Sequence, residues 1–519
     1  MPREEHTVRG MLRRTAVYFP TSDAVVDEQF RYTYRELYDR VRRTARMYHD
    51  LGVRKGDRVA LLLLPSANHV VALFAAYELG AIPVALHVRE SVPIMVRTLQ
   101  RLSPRILVYE ANLAEQAAQI RAQAPGLSGF VAARSGVTSP DAARATGDPV
   151  LPDDLDRYDA DLEPMAVFED DIALICLSSG TTGIPKGVIH RNRPLVEGAR
   201  GGVYIYGVTP HSAQLIPIST SFMGWQNGAL PVLNVGGKLV FMAQFSPKGY
   251  VDTLRRERCT IAVLLPTIWR MLFQMPVMAD DFDSVELAGF AGEVIDMGTL
   301  GRIRELVTPN IINIYGTTES GLSAGTMMFR QDLDRPDKIA SIGKPLLNSE
   351  VRVIAPGGTA DDILPPGEEG EIIIRGPSVA NEMWDDPAKT RQVFEGPWWH
   401  SGDLGVMDDE QYLYIRGRLD DMIISGGINI MPAPVEDAIL KHPAVAEVAV
   451  VGLPDDTWGQ AVTAFVMTKT PVTADELDAF LQTSELSSYQ RPRRYEFLDE
   501  LPKGPTGKLN RRALRTRAV

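Results

Sequence analysis

The ten residues Ser178-Ser179-Gly180-Thr181-Thr182-Gly183-Ile184-Pro185-Lys186-Gly187 follow an apolar, strand-like run, Ile172-Ala173-Leu174-Ile175-Cys176-Leu177. Four hydroxyls, three glycines and one lysine crowd into this loop. Glycines let backbone N–H groups approach a ligand closely, hydroxyls add donors, and the lysine adds a mobile positive charge. Such a set suits the holding of a polyphosphate. It is not a Walker loop, because Gly187 rather than Ser or Thr follows Lys186 and Pro185 precedes it. The alternative is a flexible surface turn, although hydroxyl pairs flanked by glycines and a lysine are uncommon in ordinary turns.

Four further segments carry reactive or binding groups. Asn313-Ile314-Tyr315-Gly316-Thr317-Thr318-Glu319 joins an aromatic, a glycine, two hydroxyls and a carboxylate at the end of an apolar strand. Trp398-Trp399-His400-Ser401-Gly402-Asp403 ends in an aspartate, the residue type best able to accept from both hydroxyls of a ribose. Gly417-Arg418-Leu419-Asp420-Asp421 runs on through Met422-Ile423-Ile424-Ser425 to Gly426-Gly427. Leu501-Pro502-Lys503-Gly504-Pro505-Thr506-Gly507-Lys508-Leu509 presents a glycine-flanked lysine on an exposed tip. Each also has a plain structural use. Tyr315 could pack a strand end, Glu319 could face a helix N-terminus, and Asp403 could cap a turn. Arg418 with Asp420 could be a solvated linker pair, and Lys508 a tail lysine.

These groups need elements to position them, and the chain alternates helix and strand signals. Thr33-Tyr34-Arg35-Glu36 reads as a capping box, after which Leu37, Val41 and Ala45 recur on one helical face until Gly52. Strands are expected over 58–64, 82–86, 105–109 and 238–242, with a buried helix over 68–80. The fold class is therefore α/β, with mostly parallel sheets in a large N-terminal part of α/β layers. Pro365-Pro366-Gly367-Glu368-Glu369-Gly370 then feeds the strand Glu371-Ile372-Ile373-Ile374-Arg375, in a smaller β-rich subdomain at about 335–418. The texture changes again at 416–421, a charged linker, giving an N-terminal domain of 1–418 and a C-terminal α+β domain of 419–519. The stretch 134–163, acidic and rich in small residues, reads as a surface loop.

Composition narrows the functions available. The 519 residues are 45% apolar and 23% charged, ordinary for a globular protein. A formal net charge of −12 argues against broad affinity for nucleic acid or anionic membrane. Two cysteines, Cys176 and Cys259, cannot build a disulfide framework or a cysteine-based zinc site, and Cys176 reads as a small core residue. No stretch approaches the ~18 continuous apolar residues of a membrane span. The N-terminus lacks the apolar block of a signal peptide, which makes a reducing cytoplasm the simplest compartment.

Together the segments resemble the adenylate-forming superfamily of acyl-CoA synthetases, peptide-synthetase adenylation domains and luciferases, and most of all an acyl-CoA synthetase. The resemblance runs from about Tyr32 to Arg515 and includes Gly52-Val53-Arg54-Lys55-Gly56-Asp57-Arg58-Val59. It implies a carboxylic acid activated by ATP and Mg²⁺ to an acyl-adenylate, then transferred to coenzyme A with release of AMP. Ser178, Ser179, Gly180, Thr181, Thr182, Gly183 and Lys186 would bind the β- and γ-phosphates, and Glu319 would hold the metal. Thr318 would contact the α-phosphate. Tyr315, Gly316 and Thr317 would lie near the adenine, with Gly292 and Glu293 on its other side. Asp403 and Arg418 would grip the ribose, while Lys508 reaches both the attacking carboxylate and the α-phosphate. The C-terminal domain would be mobile about Asp420, bringing Gly426 and Gly427 to the thiol's channel in a second orientation.

The resemblance places the acyl pocket along Pro217-Ile218-Ser219-Thr220-Ser221-Phe222-Met223-Gly224-Trp225-Gln226-Asn227, with Phe222, Met223, Trp225 and Gly289 as its candidates. It lacks the aspartate that holds an amino-acid ammonium, so an apolar acid is expected: fatty, aryl, or a polycyclic product of secondary metabolism. Ile428 and Pro434 stand where many relatives carry glutamate or another polar residue. The acceptor stays open between CoA and a carrier protein, as does an enzyme specialised for thioesterification of a pre-formed acyl-adenylate. The alternative of another class is a noncatalytic nucleotide-binding protein. No nucleic-acid partner and no membrane span are expected, and the oligomeric state is open, a homodimer among the alternatives.

Overall fold

The computed structural model describes residues 4–124, 126–135, 138–163, 165–178, 184–293, 295–503 and 509–517. The chain divides into two compact units, Met1–Val351 with Ile374–Trp399, and Arg352–Ile373 with His400–Val519.

The first unit is built on two large sheets. Nine strands run in the order Lys344–Pro345, Thr326–Met328, Ile311–Tyr315, Leu287–Ala291, Ile261–Leu264, Ala213–Ile216, Lys238–Phe241, Asp23–Val26 and Arg31–Thr33. The six inner strands pair in parallel, and the outer ones close the edges antiparallel. Strand order reverses between Ala213–Ile216 and Ile261–Leu264, so a crevice is expected outside their carboxyl ends. The second sheet is parallel throughout, in the order Ile82–Ala85, Arg58–Leu62, Ile106–Glu110, Gly129–Ala133 and Val150–Leu151.

Local sequence explains these elements. The Thr33–Glu36 capping box is present at the start of helix Tyr34–Asp50, whose Leu37, Val41 and Ala45 are buried. Helix Ala67–Glu78 is buried from Ala67 through Tyr77, which requires the continuous apolar run it has. One expectation fails. The stretch 134–163 is not simply a surface loop, because Val150 and Leu151 form the last strand of the parallel sheet and are buried there with Leu155. Two apolar residues among acidic neighbours are too short a run to register as a strand.

In the second unit, Val445–Asp455 pairs antiparallel with Gly459–Thr468, and Arg494–Phe497 adds to the latter in parallel. Helices Pro432–Leu440 and Ala474–Gln482 cover this sheet, burying Val435, Ile439, Leu477 and Leu481 against Val450 and Val462. Pro432 and Pro434 fall in the first helical turn, where a missing N–H costs no intrahelical bond. No helix among the described residues is long and apolar enough to cross a membrane.

Candidate active site

The phosphate-loop candidates hang on a hairpin in the first unit. Strands Ile172–Ser178 and Lys186–Arg191 pair antiparallel, with Ser178 opposite Lys186 and Leu177 opposite Gly187. The ends of the loop are thereby pinned side by side. Ser179, Gly180, Thr181, Thr182 and Gly183 lie outside the described residues. Gly187 has a packing reason of its own, since a Cβ there would meet Ile175 at 2.8 Å and Trp384 at 3.0 Å. The Trp384 N–H donates to the Gly187 carbonyl at 2.8 Å.

Two neighbouring parallel strands deliver the nucleotide candidates. Ala291 is in register with Ile314, so Gly292 and Tyr315 leave the sheet at the same edge. Gly292 turns with φ +81°, and its neighbour Glu293 accepts from the Thr267 hydroxyl at 2.7 Å. Arg270 also approaches the Glu293 carboxylate, at 3.5 Å. The Glu293 side chain is thus held to the start of helix Pro266–Phe273.

Beyond Tyr315, the Gly316–Glu319 segment is shaped by a residue the sequence analysis did not single out. The Ser320 hydroxyl accepts from the Thr317 N–H at 2.9 Å and donates to the Thr317 carbonyl at 3.1 Å. Ser320 is fully buried, while Thr318 and Glu319 are half-exposed on the turn it ties together. The only sequence signal is a fourth polar residue after Thr317-Thr318-Glu319. Cys176, expected as a small core residue, is buried as expected, and its neighbours add to that reading. Its thiol donates to the Ser221 carbonyl at 3.6 Å, and it is pushed up to about 12 by burial and then by the charge of Glu319. It stays neutral between the acyl-pocket turn and the Thr318–Glu319 turn.

The acyl-pocket candidates divide. The turn Ser219–Phe222 issues from the carboxyl end of Ala213–Ile216, where strand order reverses, and helix Met223–Val235 follows. Phe222 is half-buried, with its ring 5.5 Å from that of His87. Met223 is buried, and Trp225 is wholly buried between Phe241, stacked at 6.0 Å, and His69, at 5.5 Å. Gly289 sits mid-strand, where a Cβ would meet Ile312 at 3.0 Å and Val263 at 3.1 Å. Its carbonyl accepts from the Trp269 indole at 3.0 Å, so close sheet packing accounts for that glycine.

The second unit brings together the two ribose candidates. Asp403 is the direct cross-strand partner of Arg418, in the pairing of Asp403–Met407 with Leu413–Arg418. The guanidinium lies 3.4 Å from the Asp403 carboxylate, which is nearly buried, and the Ser401 hydroxyl accepts from the Asp403 N–H at 2.9 Å. Downstream, the Asp420 carbonyl accepts from Arg515 at 3.2 Å, and Asp421 pairs with Arg511 at 3.3 Å and Arg515 at 3.1 Å. Gly426 and Gly427 form the two-residue turn between the paired strands Ile423–Ser425 and Ile428–Ile430. Their φ values of +59° and +79° are those of a type I′ hairpin, which favours glycine whether or not a ligand passes by. Lys508 lies outside the described residues.

No group of three or more His, Cys, Asp or Glu side chains able to hold a metal occurs among the described residues. A metal at Glu319 would take its other ligands from phosphate and water, a donor set that suits Mg²⁺.

Comparison with known proteins identifies the family. A sequence model described as AMP-binding enzyme matches residues 12–384, and one described as AMP-binding enzyme C-terminal domain matches residues 434–508. The long-chain-fatty-acid–CoA ligase FadD13 of Mycobacterium tuberculosis is 30% identical over 511 residues, 97% of each chain. The fatty acid–[acyl-carrier-protein] ligase ScoC of Streptomyces coeruleorubidus is 31% identical over 510 residues, 97% of this chain and 94% of its own. Among solved structures, o-succinylbenzoate CoA synthetase (MenE) from Bacillus subtilis, in complex with the acyl-adenylate intermediate OSB-AMP, matches with a TM-score of 0.82. It is 26% identical and covers 100% of this chain and 98% of its own. The chain belongs to the AMP-binding enzyme family.

Proposed function

We propose that the protein is an ATP-dependent acyl-CoA ligase that activates a hydrophobic carboxylic acid through an acyl-adenylate. The observation that carries this reading is convergence at one sheet edge. The strands ending at Ile216, Ala291 and Tyr315 send the acyl-pocket turn, Gly292-Glu293 and the Thr317–Glu319 turn outward from the same side of one sheet.

In the first half-reaction a carboxylate oxygen of the acid attacks the α-phosphorus of ATP. The bond from that phosphorus to the β-phosphate oxygen breaks, and pyrophosphate leaves. Two anions are forced together, so positive charge and donors at phosphorus are the main need. Lys186 with Ser178, Ser179, Thr181 and Thr182 holds the departing pyrophosphate. Thr318 donates toward the α-phosphate, and Lys508 neutralises the forming bond. Mg²⁺ bound by Glu319 would offset phosphate charge. In the second half-reaction a thiolate attacks the acyl carbonyl carbon, the carbon–oxygen bond to AMP breaks, and AMP leaves with the ribose held by Asp403 and Arg418. The two steps use different orientations of 419–519 about Asp420, the second placing Gly426-Gly427 beside the pantetheine arm.

The acceptor is coenzyme A in this reading. Transfer to a carrier protein is the second reading, favoured by the name of the Streptomyces relative. Acid-dependent exchange of labelled pyrophosphate into ATP tests the first step, and acyl-CoA formation from synthetic acyl-adenylate tests the second. Exchange without CoA-dependent product, but with loading of a phosphopantetheinylated carrier, would replace the first acceptor by the second. Product from the adenylate but no exchange with any acid would leave a thioesterification enzyme.

A further inference from the structure

Asp403 owes its place to two residues of the neighbouring strand. Strand Glu369–Arg375 lies beside strand Trp398–Met407, and its Glu371 is 5% exposed. One carboxylate oxygen of Glu371 accepts from the Gly402 N–H at 3.2 Å, and the other meets His400 Nδ1 at 3.2 Å. A carboxylate only accepts, so the His400 ring must present Nδ1–H to it. At the next residue the Ile372 carbonyl accepts from the Ser401 hydroxyl at 2.6 Å, and that hydroxyl accepts in turn from the Asp403 N–H at 2.9 Å. His400, Ser401 and Gly402 are thus tied to Glu371 and Ile372, and the relay ends on the backbone of Asp403.

Ordinary strand pairing needs none of these side chains. Gly402 has φ +69°, a left-handed conformation inside an otherwise extended strand, and its N–H goes to the Glu371 side chain. Burying a carboxylate is costly unless hydrogen bonds compensate it. A buried carboxylate committed to one backbone turn is expected where the direction of the next side chain matters. That side chain is Asp403, nearly buried and 3.4 Å from the Arg418 guanidinium. Arg418 also donates to the Ser401 carbonyl at 3.4 Å, so both ribose candidates are anchored to the same turn.

We propose that Glu371 is a positioning residue for nucleotide binding: through Gly402 and His400 it fixes the turn that aims the Asp403 carboxylate at the two ribose hydroxyls of ATP. This rests on the reading of Asp403 as the ribose acceptor of an adenylating ligase, and adds the group that sets that acceptor's direction. Glu371 itself touches no substrate. Its removal releases the Gly402 N–H and the His400 ring, Asp403 loses its aim, and ribose recognition falls while the phosphate-handling groups stay as they were.

The test uses the full chain with ATP, 2′-deoxy-ATP and 3′-deoxy-ATP. Two readings are taken, acid-dependent pyrophosphate exchange and the rise in melting temperature caused by each nucleotide alone. The wild type should prefer ATP to each deoxy analogue by about ten- to a hundredfold in kcat/KM, the worth of a hydrogen bond to a charged group. Glu371→Ala should shrink that preference at least about fivefold, mainly through a higher KM for ATP, since the ribose is held alike in ground and transition states. Glu371→Gln should restore most of it. Its amide oxygen takes the Gly402 N–H, and its NH₂ donates to a His400 ring whose proton has moved to Nε2. A merely structural loss would lower ATP and its analogues together and leave the preference intact. Ser401→Ala, which breaks the second tie to Asp403, gives the same reading if Glu371→Ala fails to fold. A preference that neither alanine variant changes, or a wild type that does not discriminate, overturns the proposal, and the ligase reading survives wherever exchange is seen. Discrimination in the melting shifts that the variants abolish, without exchange from any acid, would keep the role of Glu371 and overturn the ligase reading. Neither shift nor exchange overturns both.

Discussion

In the proposed reaction Glu319 and Lys508 would supply charge at two ends, a role that packing cannot replace. Lys508→Ala should lower acid-dependent pyrophosphate exchange by at least ~10²-fold, the cost of removing one transition-state donor, while sparing thioester formation from supplied acyl-adenylate. Equal loss in both assays would contradict that division of labour. Glu110 makes a different prediction, about stability. It is buried, accepts from the Ser135 N–H at 3.0 Å and the Thr138 hydroxyl at 2.9 Å, and is pushed up to about 7 by burial. Because the folded state keeps the proton to higher pH than the unfolded chain, this carboxyl withdraws stability as pH rises from about 4.5 to about 7. Glu110→Gln, which cannot ionise, should therefore gain on the wild type across that window, by an amount of the order of 3 kcal/mol at its top. Denaturant melts at a series of pH values measure it, and a constant difference between the two proteins would refute it. Candidates such as Lys186, Glu319 and Asp403 stood out in the sequence because the chemistry proposed for them follows from side-chain type and neighbours. Ser320 did not stand out, since its part in the turn shows only once the backbone around Thr317 is folded.

Turns and hairpins set the geometry of those residues. Ser320 closes the Thr317–Glu319 turn through two hydrogen bonds, and Ser320→Ala leaves the Thr317 N–H without its hydroxyl partner. The expected cost is about 1–3 kcal/mol of local stability. Adenylation should fall by one to two orders of magnitude if the turn positions Thr318 and Glu319, and pyrophosphate exchange that stays normal would show that it does not. Gly187→Ala should destabilise by about 1–3 kcal/mol through overpacking against Ile175 and Trp384, read as a drop in denaturation midpoint. Elements were read from sequence where their pattern was long. The Thr33–Glu36 capping box and the apolar face after it appear as expected, and the buried run near 68–80 is a helix. The strand Val150–Leu151 was hidden because parallel pairing with Gly129–Ala133, rather than any periodicity of its own, makes it a strand. Gly426 and Gly427 suited close approach by a slender ligand, and the structure adds a local reason, the positive φ of a two-residue hairpin turn.

At the scale of the molecule, the order of the motifs named the family, and the parallel sheet brings three of the candidate segments to one edge. Strand ends at Ile216, Ala291 and Tyr315 are far apart in sequence, but parallel pairing puts them on one edge. The acyl chain was the least legible part, because a pocket wall is assembled from several helices and strands whose contacts no single segment encodes. The central claim is that one oxygen of the acid passes through an acyl-adenylate. An acid labelled with ¹⁸O in its carboxylate, incubated with the full chain, ATP, Mg²⁺ and CoA, tests this directly by mass spectrometry. The account predicts acyl-CoA together with AMP that carries one ¹⁸O. Unlabelled AMP, or label in inorganic phosphate accompanied by ADP, would contradict it.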